Sequence, residues 1–91
     1  ASHFGYLKSL KVDIIKVDGQ FIKGMLQDPV DDVSVRGFLE VARVLGVRTV
    51  AEFVDSEAVL ERCRELGFDF AQGYFLGRPE PMADLAAAVA Q

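Results

Sequence analysis

Cysteine is nearly absent from this chain. Cys63 is the only one in 91 residues. A single thiol excludes a disulfide framework and a thiolate-rich metal cluster, and agrees with a reducing compartment. There is one histidine, His3, and it lies in the opening apolar stretch. A surface or helix-packing role is commoner there than ligation. Basic runs are missing too: 10 Lys and Arg stand against 14 Asp and Glu, a formal net charge of −4. A nucleic-acid polymer needs a clustered basic footprint, so that class of partner is excluded. A small anionic ligand stays open, because metal ions can balance its charge. No apolar run reaches membrane-spanning length, and no secretory signal is present. A cytoplasmic location is expected, with any membrane anchor lying in segments beyond this sequence. The chain opens on "ASHFGYLKSL" without an initiator Met, which reads as the middle of a longer protein.

What is present reads as one small globular domain. The chain is 51% hydrophobic, too rich for disorder and long enough for one core. Phe4, Tyr6, Leu7 and Leu10 form a short helical stripe. "VDIIKVD", residues 12–18, is a β-branched run of strand length. A loop is expected from Gly19 to Asp28. Asp28 and Pro29 then signal a helix start, with Asp as N-cap and Pro in the first turn. That helix should reach Leu45 and stop at Gly46, burying Val33, Phe38, Leu39, Val41, Ala42 and Leu45. "VRTVAEFV", residues 47–54, is the second strand. Asp55 or Ser56 should cap the next helix and Gly67 end it, with Val59, Leu60, Cys63 and Leu66 inward. "FDFAQGYFLG" is the third strand, "RPEP" breaks the chain, and "MADLAAAVA" is a last helix. The order α-β-α-β-α-β-α predicts an α/β fold with three parallel strands and right-handed crossovers.

Strand parity then singles out a few polar residues. Side chains alternate between the two faces of a strand. Val12, Ile14, Lys16 and Asp18 share one face; Val50, Glu52 and Val54 share another; Phe68, Phe70, Gln72 and Tyr74 a third. Each strand thus carries a polar residue near its carboxyl end, where α/β proteins bind ligands. Lys16 is expected to be shielded from bulk water but to face a site, with Glu52 and Gln72 converging on the same mouth. The plainer explanation is an edge lysine, or a structural Lys16–Glu52 ion pair. Acidic residues are depleted in strands and seldom buried alone, so Glu52 is the stranger of the two. The three together at equivalent positions weigh more than any one.

The runs "FGYLKSLKVDIIKVDGQFI", "VRTVAEFVDSE" and "LGFDFAQGYFLGRPEP" resemble the C-terminal part of EAL domains, over about residues 1–85. "K-x-D", "A-E-x-V" and "Q-G-Y-x-x-x-x-P" stand in that family's order and spacing. The resemblance implies a (β/α)₈ TIM barrel and two-metal hydrolysis of cyclic di-GMP to pGpG, with Mg²⁺ or Mn²⁺. It implies that Lys16 contacts the attacking water and scissile phosphate, that Glu52 is a general base or metal-site carboxylate, and that Gln72 sits beside the water. Asp18 would support the strand end. Asp55 stands where the family has a second glutamate in "EGVE", and would orient neighbours such as Lys16. Phe53 replaces the glycine of that motif, a bulky group beside the general base that bears on substrate access. Arg78 is a candidate contact to a guanine or phosphate; Tyr74 and Phe75 read as barrel packing.

The resemblance also implies what lies elsewhere. The E-A-L motif and the "DDFGTG" carboxylates, which would supply most metal ligands, are absent. The chain would hold only the sixth, seventh and eighth strands of the barrel, preceded in a parent protein by sensory or GGDEF modules. Three strands cannot close an eight-stranded barrel. Self-association or domain swapping through open edges is then expected, and the segment alone is expected to be inactive. Competing readings are an EAL-like receptor that binds the dinucleotide without cleaving it, a different (β/α)₈ enzyme using Lys16 and Asp18 on a sugar phosphate, and a scaffold piece.

Overall fold

A computed structural model describes residues 14–73 and 79–89. The opening helical stripe, His3, Val12, the end of the third strand with Tyr74 and Phe75, and Arg78 lie outside the described residues. The first element is a strand, β1 (Ile14–Val17), followed by a six-residue helix, α1 (Gly19–Gly24). The stretch expected to be loop is helical because Asp18 caps it: its carboxylate accepts the Gln20 amide at 2.8 Å. The long helix α2 (Pro29–Leu45) starts and stops as its punctuation dictates. Asp28 accepts the Val30 amide at 2.9 Å, and Gly46 takes the left-handed φ of 70° that closes the helix. Strand β2 (Arg48–Ala51) follows, then α3 (Glu57–Leu66), capped by Ser56 rather than Asp55 and ended by left-handed Gly67. Strand β3 is Phe70–Ala71. The "RPEP" stretch does more than interrupt the chain: Glu80–Pro81 form a short strand, β4, before the last helix, α4 (Met82–Val89).

The sheet has the order β1-β2-β3-β4. β1 and β2 pair in parallel, with Lys16 opposite Val50 and Val17 opposite Ala51. β2 and β3 are also parallel, with Ala51 opposite Ala71. The fourth strand corrects the all-parallel expectation, since β4 runs antiparallel to β3, with Ala71 opposite Glu80. The reason is local. A two-residue strand at the edge can return beside its neighbour without a crossover, and Pro81 is tolerated at an edge.

The described core lies on one face of the sheet. Val17, Ala51 and Ala71 are buried with Ile22, Val35, Val54, Leu60, Cys63 and Phe68 in one core. Phe21 of α1 meets Phe38 of α2 edge to face, ring centres 5.4 Å apart. The opposite face carries Ile14, Lys16, Arg48, Val50 and Phe70, and there the Arg48 guanidinium lies 6.0 Å from the centre of the Phe70 ring. The expected stripe on α2 also needs correction: Val33 is 62% exposed, whereas Val35 is fully buried. Val33 and Val35 stand about 200° apart around the helix axis, so only one of them can face the core. Val35, two residues on, falls on the side that meets the core.

Two outcomes follow from this packing. Val35→Ala should cost about 2 kcal/mol through lost burial and a residual cavity. Val33→Ala should stay within about 0.5 kcal/mol, with both read from urea unfolding midpoints. Burial also pushes the Cys63 thiol up to about 12. The folded chain therefore holds that proton where the unfolded chain releases it. Stability from this group is constant below pH ~9 and is lost as pH rises from ~9 towards ~12. Cys63→Ser should remove that alkaline component from a stability-versus-pH curve.

Candidate functional site at the carboxyl ends of the strands

β1, β2 and β3 all release their chains at the same edge of the sheet. One residue beyond the ladder, the Glu52 amide still donates to the Val17 carbonyl at 3.2 Å, and the Gln72 amide to the Ala51 carbonyl at 2.9 Å. Asp18, Glu52 and Gln72 therefore stand side by side in the backbone, with Lys16 two residues before Asp18. The structure brings the carriers of all four groups to one edge, as parity requires.

Their surroundings differ from expectation in one respect. Lys16 is exposed, not shielded. The core helices pack on the face of Val17; Lys16 stands on the opposite face of the edge strand β1, where its neighbour Val50 is nonetheless buried. Glu52 and Gln72 are half-buried; Asp18 and Asp55 are exposed. No ion pair joins Lys16 to Glu52, Asp18 or Asp55 among the described residues. The structural pair that would have explained Lys16 is thus not formed. The Asp18 carboxylate is engaged in capping α1. Asp55 stands immediately before the Ser56 cap of α3.

The loop after β2 has a feature that composition does not announce. A regular parallel ladder would bring the Phe53 amide to the Gln72 carbonyl. Instead the Val54 amide makes that bond, at 2.8 Å. One residue has been inserted, as in a β-bulge. Phe53 is that residue, and it takes φ 58°, the only left-handed non-glycine conformation among the described residues. Val54 turns back into the core at 2% exposed, while Phe53 is 57% exposed. Two glycines make room. A Cβ at Gly19 would lie 1.9 Å from Cδ2 of Phe53, and a Cβ at Gly73 would lie 1.9 Å from the Val54 carbonyl oxygen. The signal for both was present in the sequence, where a glycine follows the "K-x-D" run and another follows Gln72.

Among the described residues no group of three or more His, Cys, Asp or Glu side chains could hold a metal ion. The described residues alone therefore do not build a two-metal cage.

Parallel strands with helices on one face and a polar row at their carboxyl edge define an α/β unit of the kind that binds ligands at strand ends. Comparison with known proteins narrows the class. Residues 1–79 match the family described as EAL domain, and the chain belongs to that family. It is 42% identical over 80 residues to cyclic di-GMP phosphodiesterase PdeB of Shewanella oneidensis, a match covering 88% of this chain and 9% of that protein. It is 39% identical over 85 residues to MucR of Pseudomonas aeruginosa, a bifunctional diguanylate cyclase/cyclic di-GMP phosphodiesterase, covering 93% of this chain and 12% of that protein. The fold superposes on the MucR phosphodiesterase in its cyclic di-GMP complex with a TM-score of 0.79 and 36% identity, over 93% of this chain and 34% of that one. The chain thus spans about a tenth of the length of these relatives. EAL domains have the TIM-barrel fold, to which the small α/β sheet described here conforms.

The Gly73 contact gives a direct test. Gly73→Ala forces a methyl group against a backbone carbonyl that cannot turn aside. It should destabilise the fold by roughly 2 kcal/mol or more, whereas Gly37→Ala, where a Cβ meets nothing within 4 Å, should be neutral or stabilising. Thermal unfolding of the two variants distinguishes them.

Proposed function

We propose that this chain is the carboxyl-terminal part of an EAL domain, supplying the sixth to eighth strands of its barrel, and that the complete domain hydrolyses cyclic di-GMP to pGpG. The observation that carries the reading is that Lys16, Glu52 and Gln72 stand near the carboxyl edge of three neighbouring parallel strands, Glu52 beside Gln72 and Lys16 level with Val50, in a chain whose family includes named cyclic di-GMP phosphodiesterases.

The chemistry follows from the groups. Hydrolysis joins a water oxygen to phosphorus and breaks one P–O ester bond. Glu52 accepts the proton that the water gives up. The Lys16 ammonium is a compact positive charge that stabilises the phosphoryl oxygens as negative charge gathers on them. The Gln72 amide holds the water in line, donating to or accepting from it. Asp18 fixes the end of β1 by capping α1, and Asp55 orients the loop that carries Glu52. Arg78 contacts a guanine or phosphate of the ligand. Mg²⁺ or Mn²⁺, when bound, would supply Lewis-acid stabilisation and a more acidic water. Their cage has to come chiefly from residues outside this chain, with Glu52 the one contribution offered here. Upstream sensory or GGDEF modules and a cytoplasmic setting fit the same reading. Among the described residues no helix is long and apolar enough to cross a membrane.

The test is a complete domain carrying this segment, incubated with cyclic di-GMP and Mg²⁺ or Mn²⁺ and assayed for pGpG. Metal-dependent product is expected, and Glu52→Gln should lower kcat by about 10²–10⁴-fold, the span typical for loss of a general base. Unchanged turnover in that variant would remove Glu52 from the mechanism. Saturable binding without product would make the domain a receptor instead. The isolated 91-residue chain should give no pGpG.

A further inference from the structure

Phe53 stands where the family's "EGVE" motif has glycine, and the backbone there suits glycine better. Its φ is 58°, a left-handed conformation that glycine adopts freely and that costs a residue with a Cβ free energy. Neither the bulge nor the placement of Glu52 needs a side chain at this position. The ring is therefore an addition, and its surroundings say what it can do. It is not core. Phe68 is buried, Phe21 and Phe38 pack against the core, and Phe70 lies beneath Arg48. Phe53 is 57% exposed, the one exposed phenylalanine among the described residues. No other ring and no cation stacks on it there.

The ring is backed on one side. Its Cβ, Cγ and Cδ2 atoms occupy the space that a Cβ at Gly19 would need, at 2.4, 2.4 and 1.9 Å from it. Gly19 opens α1 directly after Asp18. The ring thus springs from the turn after β2, next to Glu52, and rests against the turn after β1. It stands at the carboxyl edge, between the strand ends that carry Lys16 and Glu52, with the rest of its surface open. Nucleotide sites combine these two kinds of surface: charged and polar groups hold the phosphate, and an aromatic face takes the base. Cyclic di-GMP carries two guanines, each one ribose away from a phosphate. A ring one residue from the group that acts on the phosphate is within reach of the attached base.

We infer that Phe53 is a substrate-binding residue, on whose exposed ring one guanine of cyclic di-GMP stacks. The inference rests on the phosphodiesterase reading for its ligand, and adds a contact that a glycine at this position cannot make. Phe53 takes no part in making or breaking bonds. The base stacks equally in the bound substrate and in the transition state, so the contact raises affinity and leaves turnover alone.

A complete EAL domain carrying this segment tests it, with cyclic di-GMP as substrate and Mg²⁺ present. Phe53→Gly restores the family residue and removes the ring. Phe53→Leu keeps apolar bulk and the backbone cost but has no aromatic face; Phe53→Tyr keeps the face. KM should rise roughly tenfold in the Gly and Leu variants, within the span that loss of one base–aromatic stack covers. Their kcat should stay within about twofold, the mark of uniform binding, and the Tyr variant should keep the unsubstituted KM. In a Glu52→Gln domain, where turnover is slow, calorimetry should show the Kd for cyclic di-GMP rising by the same factor when Phe53→Gly is added. An unchanged KM and Kd in Phe53→Gly overturns the inference, whether or not Tm falls. So does a Leu variant that matches the unsubstituted domain, because bulk and not the ring face would then be what counts. Either result leaves the phosphodiesterase reading intact. A domain that makes no pGpG but binds cyclic di-GMP with this dependence on Phe53 removes the hydrolysis and supports the stack. A domain that neither cleaves nor binds the dinucleotide removes both.

Discussion

Ala51 lies where the parallel ladders meet, opposite Val17 on one side and Ala71 on the other, and it is completely buried. A larger residue in the central strand would lift the helices off the sheet. With alanine at both 51 and 71, the side chains of Val35, Val54, Leu60 and Cys63 close over the ladder in one core, at the density that interiors require. The register fixed at Ala51 then dictates the rest. It places Glu52 beside Gln72, starts the bulge one residue later, and sends the chain into α3. A slip of one residue would turn Glu52 towards the core and Ala51 out of it.

The molecule divides its duties by direction. Groups proposed for chemistry leave the carboxyl edge of the strands. The opposite end is occupied by hydrogen bonding that has no part in the site: the Thr49 amide donates to the Asp69 carboxylate at 2.9 Å, and the Asp69 amide to the Thr49 hydroxyl at 3.2 Å. Exposed pairs on the helices, such as Arg36 with Asp32 at 2.9 Å, add little. The Arg43 guanidinium holds the Glu40 carboxyl below its ordinary range, but that pair is fully exposed and serves solubility more than stability.

Much of this was legible in the sequence because the signals are local. Asp28, Pro29, Gly46, Ser56 and Gly67 each mark an end through a cap or a left-handed turn, and those ends fall where the chemistry of the caps requires. Parity put Lys16, Glu52 and Gln72 at one edge for the same reason. What the sequence did not disclose depends on tertiary contact. α1 is six residues long, too short for periodicity to reveal. β4 exists only because Glu80–Pro81 find β3 beside them. The exposure of Lys16 depends on which face the helices cover. The bulge at Phe53 was hidden because a phenylalanine in "AEFV" reads as one more strand residue, and only backbone geometry shows that it is not.

The crossover from β2 to β3 is fastened at both ends, by Thr49 with Asp69 below and by Val54 with Gln72 above. A loop closed twice cannot open from one side while the other holds. Amides inside it, from Thr49 through Val54 to Gln72, should therefore share a single opening event and exchange with solvent as one cooperative block. The short edge strand β4 can fray independently of it. The segment that carries Glu52 is, in that sense, the slow-exchanging heart of the chain rather than a mobile lid.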